Sequence, residues 1–247
     1  MAIENNEVIF LNIQTLYHGS DNIIKKPEYN KGKSDNDYGS GFYTTKNIES
    51  AKEWAIVNGQ DGIAICNQYK IDFHGLNILD LDNFGTIAWI AEVIFNRGTD
   101  NALNTEIGQI LVNTYKIDTS KADIIIGYRA DDSYIKVVDA FLEGKLTIDE
   151  VEKMFRKGHL GKQVFIKSPK AFDRLVFVTS YKVEFDQKYG NYDKLARQEV
   201  SSFLNARDRA ILIEGMDVSS KGLTVRDAIQ NYLEYSNGYY TLSNKHK

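Results

Sequence analysis

Val8-Ile9-Phe10-Leu11-Asn12-Ile13-Gln14-Thr15-Leu16-Tyr17, followed at once by His18-Gly19-Ser20, sets how the rest of the chain is read. Its β-branched and aromatic residues suit a pleated surface, so the run predicts a strand, with turn chemistry beginning at His18-Gly19-Ser20. Residues 25 to 41 are then polar, rich in Lys, Asn, Asp and Gly, and hold Pro27, one of two prolines. They predict a long functional loop. Gly41-Phe42-Tyr43-Thr44-Thr45 predicts a short second strand. A helix is expected from Asn47 or Ser50, with Ile48, Ala51, Trp54 and Ala55 on one face.

Two strands are expected at Ile63 to Ile71 and Leu76 to Leu81, a helix over 86 to 96 and a buried strand at Ala122 to Gly127. Further helices are expected at Asp132 to Phe141 and Thr147 to Arg156. Thr147 and Glu150, three residues apart, form a capping box in the second. Strands at Gln163 to Lys167 and Arg174 to Glu184 flank a turn at Ser168-Pro169. Strands and helices mix without regular βαβ alternation, which predicts the α+β class. After Asp186 the pattern turns helical, through Leu195, Val200, Phe203 and Leu204 and then Val225 to Tyr235. The expected organisation is a domain over 8–185 and a mostly helical extension over 187–247.

Composition narrows the function. With 247 residues, 43% apolar and 26% charged, the chain is an ordinary globular one. A mainly disordered, collagenous or disulfide-scaffold protein is excluded. The net charge of −4 disfavours a whole-molecule grip on nucleic acid and leaves room for a local basic patch. Lys25, Lys26, Lys31 and Lys33 form one basic stretch, for which solvation is the commoner outcome. The single Cys66, in an apolar stretch, predicts a buried thiol in a reducing compartment. The N-terminus lacks a secretory pattern, and the longest apolar run, Ile87 to Phe95, is too short to span a bilayer. A cytoplasmic protein with no membrane partner is expected.

Four histidines, His18, His74, His159 and His246, form no metal-ligand spacing, so no metal is expected. GxSxG and P-loop motifs are absent, and Gly39-Ser40-Gly41 lacks the Rossmann spacing. His18, after a strand and before a glycine that admits a planar ligand, and Tyr43, on a second short strand, are the residues that stand out. Asp131 and Asp132 suit an exposed helix N-terminus, and His159 reads as a loop histidine.

Leu16-Tyr17-His18-Gly19-Ser20, Asp37-Tyr38-Gly39-Ser40-Gly41-Phe42-Tyr43-Thr44-Thr45 and Ser50-Ala51-Lys52-Glu53-Trp54-Ala55 together resemble the ADP-ribosyltransferase superfamily, in its His–Tyr–Glu branch. The chain looks closest to a bacterial family of formerly unknown function grouped with that branch. Trp89-Ile90 with Asn96-Arg97, Asp123 to Gly127 with Ala130 to Asp132, and Gln163-Val164-Phe165 with Lys170-Ala171 extend the resemblance over about residues 8 to 180.

The resemblance implies a split β-sandwich with flanking helices, NAD as co-substrate, and mono-ADP-ribosyl transfer to a protein or nucleic-acid target. It also suggests a toxin of a toxin–antitoxin or phage-defence system, with an antitoxin or immunity partner. His18 would bond a ribose hydroxyl, Gly19 the nicotinamide carboxamide, and Tyr43 would stack on the nicotinamide with Trp54 nearby. Tyr17, Ser20, Gly41, Phe42, Thr44, Ser50 and Arg97 complete the expected cofactor-binding set. Gln163 falls where the better-known enzymes carry glutamate. It retains an acceptor but loses the charge, which argues against poly-ADP-ribose elongation and leaves single transfer, NAD hydrolysis or NAD binding alone. Glu143, Glu150 and Glu152 are fallback candidates for a catalytic carboxylate.

Overall fold

The computed structural model describes residues 12–59, 62–97, 104–130, 132–157 and 161–231. Among these residues, seven strands form two sheets. The first, in the order β1 (Ile13–Ser20), β3 (Ile65–Asp72), β7 (Val176–Lys182), is antiparallel throughout. The second runs β2 (Phe42–Thr44), β6 (Lys162–Ile166), β5 (Ile124–Tyr128), β4 (Ile78–Asp80), and only its β4–β5 pair is parallel. Leu16, Tyr69 and Ile71 from the first sheet meet Phe42, Ile124, Val164 and Ile166 from the second in one buried cluster, so the sheets face each other. The class is α+β.

Helices close the outer faces. They are α1 (Ile48–Asn58), α2 (Gly85–Arg97), α3 (Glu106–Tyr115), α4 (Asp132–Leu142), α5 (Ile148–Lys157), the short α6 (Pro169–Asp173) and the long α7 (Gln187–Leu212). Helix α1 starts where expected because the Asn47 side chain accepts from the Glu49 N–H at 2.9 Å. In α5 the Thr147 N–H donates to Glu150 Oε2 at 3.0 Å, and Glu150 N–H donates to Thr147 Oγ1 at 3.4 Å, completing the capping box.

Three local expectations change. Strand β1 continues through His18-Gly19-Ser20, which pair with Asn67, Cys66 and Ile65, because the sheet ladder overrides the turn preference of Gly and Ser. Val8 to Leu11 lie outside the described residues. Ser168-Pro169 opens a helix and is no simple turn: Ser168 Oγ accepts from Ala171 N–H at 3.2 Å, and proline is tolerated at the first helical position. Helix α3 occupies a stretch to which the sequence reading assigned nothing.

The C-terminal segment shares the main core. Val200 and Val225 are buried with Trp89, Val138, Phe141 and Phe155, and Phe203 and Leu204 pack against them. Arg207 pairs with Glu150, and Ile148 N–H donates to Leu223 O at 2.8 Å. Residues 225–231 are helical, whereas residues 232–235 of the expected helix lie outside the described residues. No described helix is long and apolar enough to cross a membrane.

Candidate active site

A cleft of about 450 Å³ opens where the edges of the two sheets meet α1, α2 and the loop over 21–41. The strand edges come together first. Tyr17 N–H donates to Thr45 O at 2.8 Å and Thr45 N–H to Tyr17 O at 2.9 Å, a single bridge joining β1 to the end of β2. It brings His18 against Tyr43, and His18 Nδ1 lies 2.7 Å from the Tyr43 carbonyl. A carbonyl only accepts, so Nδ1 carries the proton and Nε2 is left with a lone pair. Burial pushes the His18 imidazole below its ordinary value, with the Tyr43 bond opposing, which keeps this tautomer neutral. The ring is steadied by Phe42, its centroid 4.4 Å away.

Tyr43 is fixed at both ends. Its hydroxyl donates to Gly39 O at 2.7 Å and accepts from Tyr38 N–H at 3.0 Å, and its ring packs on Phe165 at 4.7 Å between centroids. Burial raises the phenol strongly, so it stays protonated. Gly19 is required by packing: a Cβ there would sit 2.0 Å from Ala51 O and 2.5 Å from Ala55 N on α1. The sequence reading tied this glycine to ligand approach, whereas the close crossing of β1 and α1 already demands it. It lines the cleft as well.

The opposite wall is organised by a residue to which the sequence reading gave no role. Asp37, 3% exposed, accepts from Arg97 Nε at 2.7 Å on Oδ1, and from Ala130 N–H and Gln163 Nε2, each at 2.8 Å, on Oδ2. Arg97 also donates from Nη2 to Ala130 O at 2.7 Å. Burial raises the Asp37 carboxyl, while the Arg97 guanidinium and the two other donors favour its charged form. The loop carrying Asp37 is itself pinned by Tyr38, whose hydroxyl donates to Tyr128 O at 2.5 Å and accepts from Trp89 Nε1 at 2.8 Å. In the sequence Asp37 stands only as the first residue of the motif running to Thr45, two positions after Asp35, and nothing local marks it as buried.

His18, Gly19, Tyr43, Trp54, Arg97 and Gln163 all line this cleft, joined by Asp37, Arg129 and Arg197. Trp54 is 6% exposed, its indole Nε1 has no hydrogen-bond partner among the described residues, and the Arg129 guanidinium lies 4.9 Å over its ring. The remaining expected contacts do not reach the cleft lining. Phe42 and Thr44 point to the other face of β2, one into the core and the other donating to Val164 O at 2.6 Å. Gly41 abuts the Phe165 ring, Tyr17 packs against the buried cluster that holds Ala51, Ala55 and Cys66, and the Ser20 hydroxyl donates to Asn22 O at 2.7 Å. Ser50 is buried on α1.

The fallback carboxylates lie elsewhere: Glu143 pairs with Lys145, Glu150 caps α5 and Glu152 pairs with Arg156. Asp131 and His159 fall outside the described residues. Cys66 is fully buried and its thiol is pushed up to about 11 by burial. Among the described residues, no group of three or more His, Cys, Asp or Glu could hold a metal ion.

Residues 14–177 match the family described as "Protein of unknown function (DUF3990)", and the chain belongs to that family. No curated protein and no solved structure matches it.

Proposed function

We propose that the cleft binds NAD and that the protein is a mono-ADP-ribosyltransferase on a split β-sandwich. The observation that carries this reading is convergence. Six residues expected from the resemblance, His18, Gly19, Tyr43, Trp54, Arg97 and Gln163, come from five separate elements, β1, β2, α1, α2 and β6, and border one cavity. In this reading the nicotinamide lies against Tyr43 and the Gly19 backbone. His18 Nε2 accepts from a ribose hydroxyl, a role open to it because Nδ1–H is committed to Tyr43 O. The bond between nicotinamide nitrogen and C1′ of the ribose breaks, and its electron pair leaves with the now neutral nicotinamide. A nucleophilic atom of the target bonds C1′ and its proton passes to solvent. The leaving group needs no proton, so the work of the site is to hold the ring and ribose in place and to stabilise the positive charge growing at C1′.

The test is incubation of the protein and its His18→Ala variant with adenine-labelled NAD and bacterial lysate, followed by protease or nuclease. Label kept on protein or nucleic acid by the wild type, and reduced about 100-fold or more in the variant, supports transfer. Release of free ADP-ribose alone assigns NAD hydrolysis. A second reading, NAD binding without turnover, is favoured by the neutral Gln163 and is the outcome if NAD binds and no nicotinamide appears. The toxin reading extends the first one: growth arrest on expression, relieved by His18→Ala, supports it, and unimpaired growth at high expression removes it.

A further inference from the structure

We propose that Asp37 is a positioning residue that locks the Gln163 amide with its oxygen toward the cleft, so that the pair does the work of a single carboxylate. The inference rests on the NAD reading of the cleft and adds to it a residue and an orientation.

An amide presents a donor at one end and an acceptor at the other, and a free glutamine can turn over to offer either. An ionised carboxylate accepts only. Asp37 Oδ2, 2.8 Å from Gln163 Nε2, therefore selects the NH₂ end and leaves Oε1 for the cavity. No described residue donates to that oxygen. The carboxylate cannot swing away, because Arg97 holds Oδ1 and the Ala130 N–H shares Oδ2. The hydrogen-bond chain thus has one direction: Arg97 to Asp37, Gln163 to Asp37, and a ligand hydroxyl to Gln163. A ribose hydroxyl is such a donor. The buried negative charge behind the amide also polarises it, making Oε1 a better acceptor and turning its dipole toward positive charge developing in the cleft. The carboxylate that a glutamate would offer directly is set back by one hydrogen bond.

The arrangement makes an exchange test possible. Asp37→Asn replaces one acceptor by a donor and releases the amide to turn over. Gln163→Glu alone sets two carboxylates in hydrogen-bond contact. Asp37→Asn combined with Gln163→Glu restores one carboxylate and one amide in exchanged order, with the introduced amide able to donate to the introduced carboxylate. Nicotinamide release from NAD is followed for all four proteins, with thermal unfolding to identify folded variants. The expected result is a fall of about 10- to 100-fold in kcat for each single variant, with KM for NAD moving less, and recovery of at least tenfold in the double variant. Wild-type kcat in Asp37→Asn, or a double variant no better than the poorer single one, overturns the proposal.

If the wild type neither binds nor cleaves NAD, the reading of the cleft fails. The lock is then decided by the Gln163 side-chain NH₂ resonances. Slow exchange that is lost in Asp37→Asn supports it, and equal exchange in both proteins overturns it. The same resonances decide the case if Asp37→Asn does not fold, by comparing the wild type with Arg97→Lys, where a looser carboxylate is expected to speed exchange.

Discussion

The two walls of the cleft are held by different physics. On one, His18 and Tyr43 are set by backbone: a strand bridge at Tyr17 and Thr45, a carbonyl under the imidazole, and a glycine that lets α1 lie against β1. On the other, Gln163 and Arg97 are set by one buried charge at Asp37. The backbone wall is specified by sheet geometry and fails by steric displacement. The charged wall depends on every partner being present, because a buried ion without its counterpart is costly.

That difference is sharpest on removal of a single side chain. Arg97→Ala is expected to lower stability by about 3 kcal/mol in urea unfolding, since it strands the Asp37 carboxylate. A loss below about 1 kcal/mol would show that water already reaches Asp37 and that the contrast between the walls is weaker than the burial suggests. Gly19→Ala attacks the other wall. Its Cβ would meet backbone atoms of α1, which cannot swing aside as a side chain can, so a loss of about 1–3 kcal/mol is expected from overpacking. Unchanged stability would mean that α1 slides on β1 at no cost.

The smallest effect is in the pH dependence, where the walls oppose each other. His18 is held below its ordinary value of 6.5, so in the window beneath 6.5 the unfolded chain binds more protons than the folded one. Its contribution is complete above 6.5 and is lost as pH falls through that window. Asp37 is raised above 3.8, so the folded chain keeps its proton longer, and stability from this group declines as pH rises from 3.8 through its folded value. Thermal unfolding of wild type and His18→Gln between pH 5 and 8 is expected to give parallel curves above 6.5, with the wild type losing more on the acid side. Curves that stay parallel throughout would place His18 in contact with bulk water.

The contrast also governs what could be read from the amino acids alone. The backbone wall was largely legible: β-branched residues around Leu16, the Gly-Phe-Tyr-Thr run and the start of α1 at Asn47 each declare local structure, although the strand was expected to give way to a turn at His18, where pairing with β3 carries it on to Ser20. The charged wall was half legible. Arg97 and Gln163 were identified through resemblance, but Asp37, which binds them, opened a motif without a role of its own, because its burial, against exposed Asp35, depends on tertiary surroundings that no spacing encodes. Arg129 and Arg197 were missed for the same reason. Helix α3 was missed although Thr105 caps it and Ile107, Ile110, Leu111, Val112 and Tyr115 give it apolar positions at helical spacing, so its signal was present and unread. The α6 start was readable from Ser168 before Pro169 and was taken for a turn.

Helix α7 carries a consequence for anyone shortening this chain. Its Val200 lies in the main core while its Arg197, three residues earlier, borders the cleft, and Arg207 completes an ion pair with the cap of α5. The change of composition near residue 186 is therefore no place to cut. A fragment ending there would carry the family's whole matched stretch and still bare an apolar groove along α4 and α5, so it should be recovered as an aggregate rather than as a smaller working protein.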